Sequence, residues 1–113
     1  MAAISNLFVD QGSDFATIIT VTSSDGTPLD LTNYAATSQM RKSFSSSVAY
    51  NFTATIINAV AGQLKLSLTA SQSEVIPAGR WLYDVEINHT VEGYRKRIIE
   101  GIVTITPQIT QGA

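Results

Sequence analysis

The sequence predicts an all-β domain, a two-layer sandwich of about seven antiparallel strands with one short helical turn. Three observations predict it. Apolar residues recur with period two and not 3.6. Turn-forming residues interrupt these runs about every 8–12 residues. The chain, 113 residues long, has room for one hydrophobic core.

The first strand is placed at Ile4–Val9, before the polar turn Asp10 to Asp14. Phe15–Thr22 follows, with Phe15, Thr17, Ile19 and Val21 on one side. Asp25-Gly26, within Ser23 to Pro28, marks a turn, because Gly tolerates positive φ and Pro fixes its own. Ala35–Arg41 and Val48–Ile57 flank a serine-rich loop, Ser43 to Ser47. Phe52, Ala54 and Ile56 supply the inner face of the second of these. Gly62 closes a turn into Gln63–Leu68, where Leu64, Leu66 and Leu68 alternate with Gln63, Lys65 and Ser67.

Ser71-Gln72-Ser73-Glu74 fits a capping box, so Thr69 to Ile76 is read as one helical turn that Pro77 ends. Gly79 and Trp81 come next, and Arg80–Asn88 is the clearest strand, with Trp81, Tyr83, Val85 and Ile87 facing inward. A small helix, a glycine and then an aromatic match the corner between strands E and F of immunoglobulin-like domains, with Trp81 or Tyr83 in the place of the corner tyrosine. The last strand, Tyr94–Thr106, changes parity between Ile98 and Val103, and a bulge at Glu100-Gly101 would bring both to the core. With a hairpin loop at His89 to Glu92, Glu86 would face Arg95 and Asp84 would face Arg97.

Composition narrows the function. The chain lacks cysteine, which removes thiolate metal sites and the inter-sheet disulfide of antibody domains. Net charge is −2, against the basic face that nucleic-acid binding needs. Charged residues are only 14%, so the surface is rich in Ser, Thr, Asn and Gln and loses little on desolvation against a partner. No apolar run is long enough to span a membrane, and Met1 to Phe8 show no signal-peptide pattern.

No constellation for catalysis emerges. His89 is the single histidine and falls in a hairpin loop without an oxyanion motif. Asp84 and Glu86 share a strand face, and ion pairs with the arginines opposite explain them better than general acid–base work. Asp10, Asp14, Asp25 and Asp30 do not have the spacing of a calcium loop. Tyr94-Arg95-Lys96-Arg97 splits its charge over both faces, which suits protection of an exposed strand edge. Asn51-Phe52-Thr53 and Asn88-His89-Thr90 match the glycosylation triplet, as chance allows in a threonine-rich chain. The reading is therefore a protein without catalytic residues, cofactor, metal or small-molecule substrate.

Several segments in order carry a family resemblance. They are Gly26-Thr27-Pro28-Leu29-Asp30-Leu31-Thr32, Met40-Arg41-Lys42-Ser43, Leu66-Ser67-Leu68-Thr69-Ala70, Gly79-Arg80-Trp81-Leu82-Tyr83-Asp84-Val85 and Glu100-Gly101-Ile102-Val103-Thr104-Ile105-Thr106-Pro107. Together they resemble small virion proteins of tailed bacteriophages, and the immunoglobulin-like N-terminal domain of phage upper baseplate proteins. That resemblance implies a structural protein of a tail, baseplate, neck or capsid, held by other virion proteins and by copies of itself. It implies synthesis in the bacterial cytoplasm and residence in the particle. The sequence departs from the baseplate proteins in lacking a long C-terminal extension, which keeps capsid decoration open. Candidate contact residues are Leu7, Phe8, Leu82, Tyr94 and Ile109, with the termini, about 1–4 and 107–113, reaching onto neighbours. A host-surface or carbohydrate-binding module is the second reading, and it requires clustered exposed aromatics.

Overall fold

The computed structural model describes residues 3–23, 25–43, 45–107 and 109. Its strands are β1 (Ala3–Ile4), β2 (Leu7–Asp10), β3 (Phe15–Thr20), β4 (Tyr34–Arg41), β5 (Ala49–Asn58), β6 (Gln63–Leu68), β7 (Gly79–His89) and β8 (Arg95–Thr106), with one helix, α1 (Ala70–Glu74), between β6 and β7. They form a curled mixed sheet in the order β1-β8-β7-β4-β5-β6-β3, with β2 also on β8. The curl turns at β5, where Ala49 to Phe52 pair with β4 and Thr53 to Asn58 pair with β6.

The period-two pattern is realised as burial. Leu64, Leu66 and Leu68 face the core, as do Trp81, Tyr83, Val85 and Ile87. Phe52 of β5 touches Tyr83 on one side and Phe15 of β3 on the other, with ring centroids 5.9 and 6.0 Å apart. Those contacts close the two halves of the curl over one core, and each such side chain contributes roughly 1.5–3 kcal/mol by burial. Leu31 and Ile76, from the connections, are buried in the same core.

The expected first strand, Ile4–Val9, is two strands, and they pair parallel with β8 where antiparallel pairing was expected. The break at Ser5-Asn6 has a physical cause. Gly101 has no side chain, and a Cβ there would lie 2.1 Å from the Ser5 carbonyl oxygen. The chain dips onto Gly101 at this point, and the Tyr83 hydroxyl donates to the same Ser5 oxygen at 2.6 Å. Asn6 Oδ1 accepts from the Ile102 amide at 3.1 Å. Gly101 therefore serves a close approach of backbone, not the bulge expected at Glu100-Gly101. The bulge lies at Ile98, because Val85 pairs with Ile99 and Glu86 with Arg97. That extra residue turns both Ile98 and Ile99 into the core.

Two other expectations shift along the chain. The helix is capped by Thr69 and Gln72, whose side chains each satisfy the other's backbone N–H, and not by Ser71 and Glu74. Ser73 is instead fully buried, with Oγ donating to the Ser13 carbonyl at 2.8 Å and accepting from the Gly12 amide at 3.0 Å. It pins the β2–β3 connection to the helix. Trp81 Nε1 donates to the Pro77 carbonyl at 3.0 Å, a link back to backbone four positions upstream like that of a corner tyrosine.

Candidate functional site

The outward residues of β1, β2, β8, β7, β4 and β5 share one broad face, and its composition follows from the register. Phe8 pairs with Thr104, Ile4 with Glu100 and Leu82 with Ile102. Paired residues point the same way, so Ile4, Phe8, Ile102 and Leu82 gather on one outer surface. Ile4 and Phe8 are 77% and 72% exposed. This apolar patch sits on paired strands and not on loops.

Beside it the sheet is concave. A trough of about 610 Å³ runs over Thr37, Gln39, Arg41, Asn51, Leu82, Asp84, Glu86, Arg95, Arg97 and Glu100. Arg97 holds its middle, with Nε 3.1 Å from Asp84 Oδ2 and Nη1 3.4 Å from Glu100 Oε2. The expected pair of Asp84 and Arg97 thus forms, although the hairpin register differs. Asn88 pairs with Arg95 and not with Gly93, so Glu86 faces Arg97. Among the described residues, Glu86 and Arg95 form no ion pair with each other. Burial pushes the Asp84 carboxyl above its ordinary value, Glu86 and Glu100 add to the rise, and Arg97 opposes it. The trough thus sets three carboxylates, Asp84, Glu86 and Glu100, against three guanidiniums, Arg41, Arg95 and Arg97, with Arg97 bridging two of the carboxylates.

Of the proposed contact residues, Phe8 and Leu82 lie together on this face. Leu7 does not join them, being 9% exposed and facing the core through its pairing with Val103. Contact through Leu7 is thus closed off in the folded chain. Tyr94 stands at the far hairpin end. There its hydroxyl lies 2.9 Å from that of Tyr34, and its ring stacks on His89 with centroids 5.0 Å apart. His89 Nδ1 accepts from the Glu92 amide at 3.0 Å, so this histidine closes its own turn. Ile109 is 97% exposed beyond β8. Residues 1, 2, 108 and 110–113 of the termini lie outside the described residues. Sequence reasoning missed Ile102, which its pairing with Leu82 places here, and expected Ile4 only within a terminus reaching onto neighbours, whereas Ala3–Ile4 pairs with this chain's own β8.

The acidic residues weighed as calcium ligands serve their own surroundings. Asp10 accepts from the Thr106 hydroxyl at 2.6 Å and Asp14 from the Ala70 amide at 2.7 Å. Asp30 accepts from the Thr32 amide and hydroxyl. Asp25 accepts from the Ser23 hydroxyl and from Thr27, bonds that lower its pKa to about 2. No group of three or more His, Asp or Glu among the described residues has metal-binding geometry. No described helix is long and apolar enough to cross a membrane.

No family model matches the chain, and no curated protein matches it in sequence. Among solved structures, InlP of Listeria monocytogenes is similar over 90% of this chain and 26% of its own, with 14% identity and a TM-score of 0.48. A family 123 glycoside hydrolase from Clostridium perfringens is similar over 94% of this chain and 23% of its own, with 8% identity and a TM-score of 0.41. The chain thus spans about a quarter of the length of these structures.

Proposed function

We propose that this chain is a non-enzymatic structural protein of a tailed-phage virion, acting through contacts with other virion proteins and with copies of itself. The observation that carries the contact role is the patch of Ile4, Phe8, Ile102 and Leu82 beside a trough of balanced charge on a continuous sheet. Exposed, grouped apolar side chains with a polar rim are the signature of a protein interface. Fold details support an immunoglobulin-like sandwich for that scaffold: β5 shared between the two halves, and a corner in which Trp81 bonds back to Pro77. The virion setting rests on the sequence resemblance alone.

The test is a photo-reactive residue placed at Phe8 or Leu82, expressed in phage-producing cells. Adducts should travel with purified particles. The same probe at Thr55, on the outer side of the other half, should give none. A chain absent from purified particles would sink the virion assignment. Tyr34, His89 and Tyr94 form an aromatic cluster at one end, which favours carbohydrate binding as the second reading. Hits on a glycan array that vanish with Tyr94→Ala would establish that reading.

A further inference from the structure

The sheet has two ends, and they are protected unequally. At one end β1 and β2 are short, interrupted at Ser5-Asn6, and β2 ends in Asp10. Where β8 runs past β1 its free stretch carries Arg95, Lys96 and Arg97. Short strands, breaks and charge all block edge-to-edge pairing. At the other end β3, Phe-Ala-Thr-Ile-Ile-Thr, has no charge, proline, glycine or bulge, and it pairs with β6 in unbroken register from Phe15 to Thr20. Among the described residues no other strand pairs with it.

The direction of its free backbone groups can be assigned. The Val21 amide donates to the Gly62 carbonyl at 2.7 Å, on the β6 side. Along a ladder alternate residues face the same neighbour, so Phe15, Thr17 and Ile19 bond toward β6. Ala16, Ile18 and Thr20 then turn their N–H and C=O groups outward. Ile18, at the centre of that set, is 60% exposed. Phe15, Thr17 and Ile19, whose side chains face the core, remain only half-buried because the sheet stops there.

We propose that β3 pairs antiparallel with β3 of a second copy of this chain, about a two-fold axis through Ile18. In that register Ile18 faces Ile18, and Ala16 faces Thr20 on each side of the axis. All the outward-facing residues become hydrogen-bonded pairs, with roughly six new backbone bonds. The two Ile18 side chains cover each other. Self-pairing brings no like charges together, because β3 has none. Lys65 on β6 pairs with Ile18 and can lay its methylene stem over the apolar pair. Any extended strand would gain main-chain hydrogen bonds here, but a charged one would find no counter-charge on β3, whereas a second copy brings none to the edge. A contact of this kind falls in the class below roughly 1,200 Å², so pairing depends on concentration. The proposal makes the self-contact of the preceding section specific. It rests on that reading for its setting but uses a separate surface.

The absence of cysteine makes the register testable with single substitutions. Across the axis the Ile18 Cα atoms would be ~5.5 Å apart, within disulfide range, whereas the Ala16 Cα atoms would be ~14 Å apart. Ile18→Cys should oxidise to a covalent dimer roughly tenfold or more faster than Ala16→Cys, because pairing raises its effective concentration. In the unmodified protein, light scattering should show mass rising above 12.1 kDa toward twice that value with concentration. Ile18→Lys should hold it at 12.1 kDa with an unchanged unfolding midpoint. Equal oxidation at the two positions would overturn the proposal, as would a monomer at every concentration. Loss of this pairing would leave the crosslinks from Phe8 and Leu82 intact, so its failure is distinguishable from failure of the virion reading.

Discussion

Gly101→Ala should unfasten the N-terminal strands. The new Cβ would sit 2.1 Å from the Ser5 carbonyl oxygen and 2.8 Å from its carbon, and both are backbone atoms that cannot rotate away. Ser5 must lift from β8. Three hydrogen bonds depend on its position: Ser5 amide to Glu100 carbonyl at 3.0 Å, Tyr83 hydroxyl to Ser5 at 2.6 Å, and Ile102 amide to Asn6 at 3.1 Å. At about 0.5–1.5 kcal/mol each, their loss costs about 2–4 kcal/mol. Full detachment would add the burial of Leu7 and Val9, at roughly 1.5–3 kcal/mol apiece. For a domain of this size about 2–4 kcal/mol lowers Tm by about 8–17 °C. Urea denaturation supplies the free energy, and hydrogen exchange at the Ile102 amide supplies the location. Tyr83→Phe removes one of the three bonds and should cost about 1–2 kcal/mol. A Gly101→Ala protein within about 0.5 kcal/mol of the parent, with Ile102 still protected, would refute the reasoning. The bulge that sequence alone assigned to Gly101 would predict no such effect on the N-terminal strands.

Two further tests probe the connections and the trough. Ser73→Ala leaves the Gly12 amide and the Ser13 carbonyl without their buried partner, and should cost about 1–3 kcal/mol in urea with an unchanged m-value. A neutral result would mean that solvent satisfies the turn. Asp84→Asn tests electrostatics. The folded Asp84 carboxyl titrates above 3.8, so the native state holds its proton more tightly than the unfolded chain does. Its contribution to stability therefore falls as pH rises through the window just above 3.8, and the cost persists at neutral pH. The difference between the parent and Asp84→Asn stability curves should show that slope. Near neutrality the two should agree within about 1 kcal/mol, since Arg97 keeps Glu100 as a partner. Curves that stay parallel through that window would remove desolvation as the dominant influence on Asp84.

Much of the fold was legible because burial has a period. Gln63–Leu68 has the bounds read from the sequence, and β4, β5, β7 and β8 differ from their expected bounds by a residue at one end or both. Each is a long run in which side-chain type alternates with the pleat. The helix was found through its capping chemistry, but Thr69 and Gln72 offered the same chemistry as Ser71 and Glu74, and only packing chose between them. Ser73 was the deciding residue, since the connection before β3 needed a buried hydroxyl at that point. The hairpin after His89 failed in register for a similar reason. Loops 89–92 and 90–93 are equally good in sequence, and burial of both Ile98 and Ile99 selects the second.

The contact surface was legible in part. Phe8 and Leu82 were visible as apolar residues on the polar side of an alternating strand. Leu7 was misplaced because Leu7 and Phe8 are adjacent and both apolar, so alternation could not say which one faces inward. Parallel pairing of Leu7 with Val103 decides it.

By itself the sequence determined the class of structure, the inward face of most strands and the absence of thiolate chemistry, because these depend on composition and on neighbours a few residues away. The tertiary structure decided what depends on residues far apart in the chain. It set the parallel seating of β1 and β2 on β8, the use of Gly101 as a seat for Ser5, and the gathering of Ile4, Phe8, Ile102 and Leu82 on one face. It also decided which edge stays open, since β3 is terminal only because β5 changes partner and carries β6 away from β4.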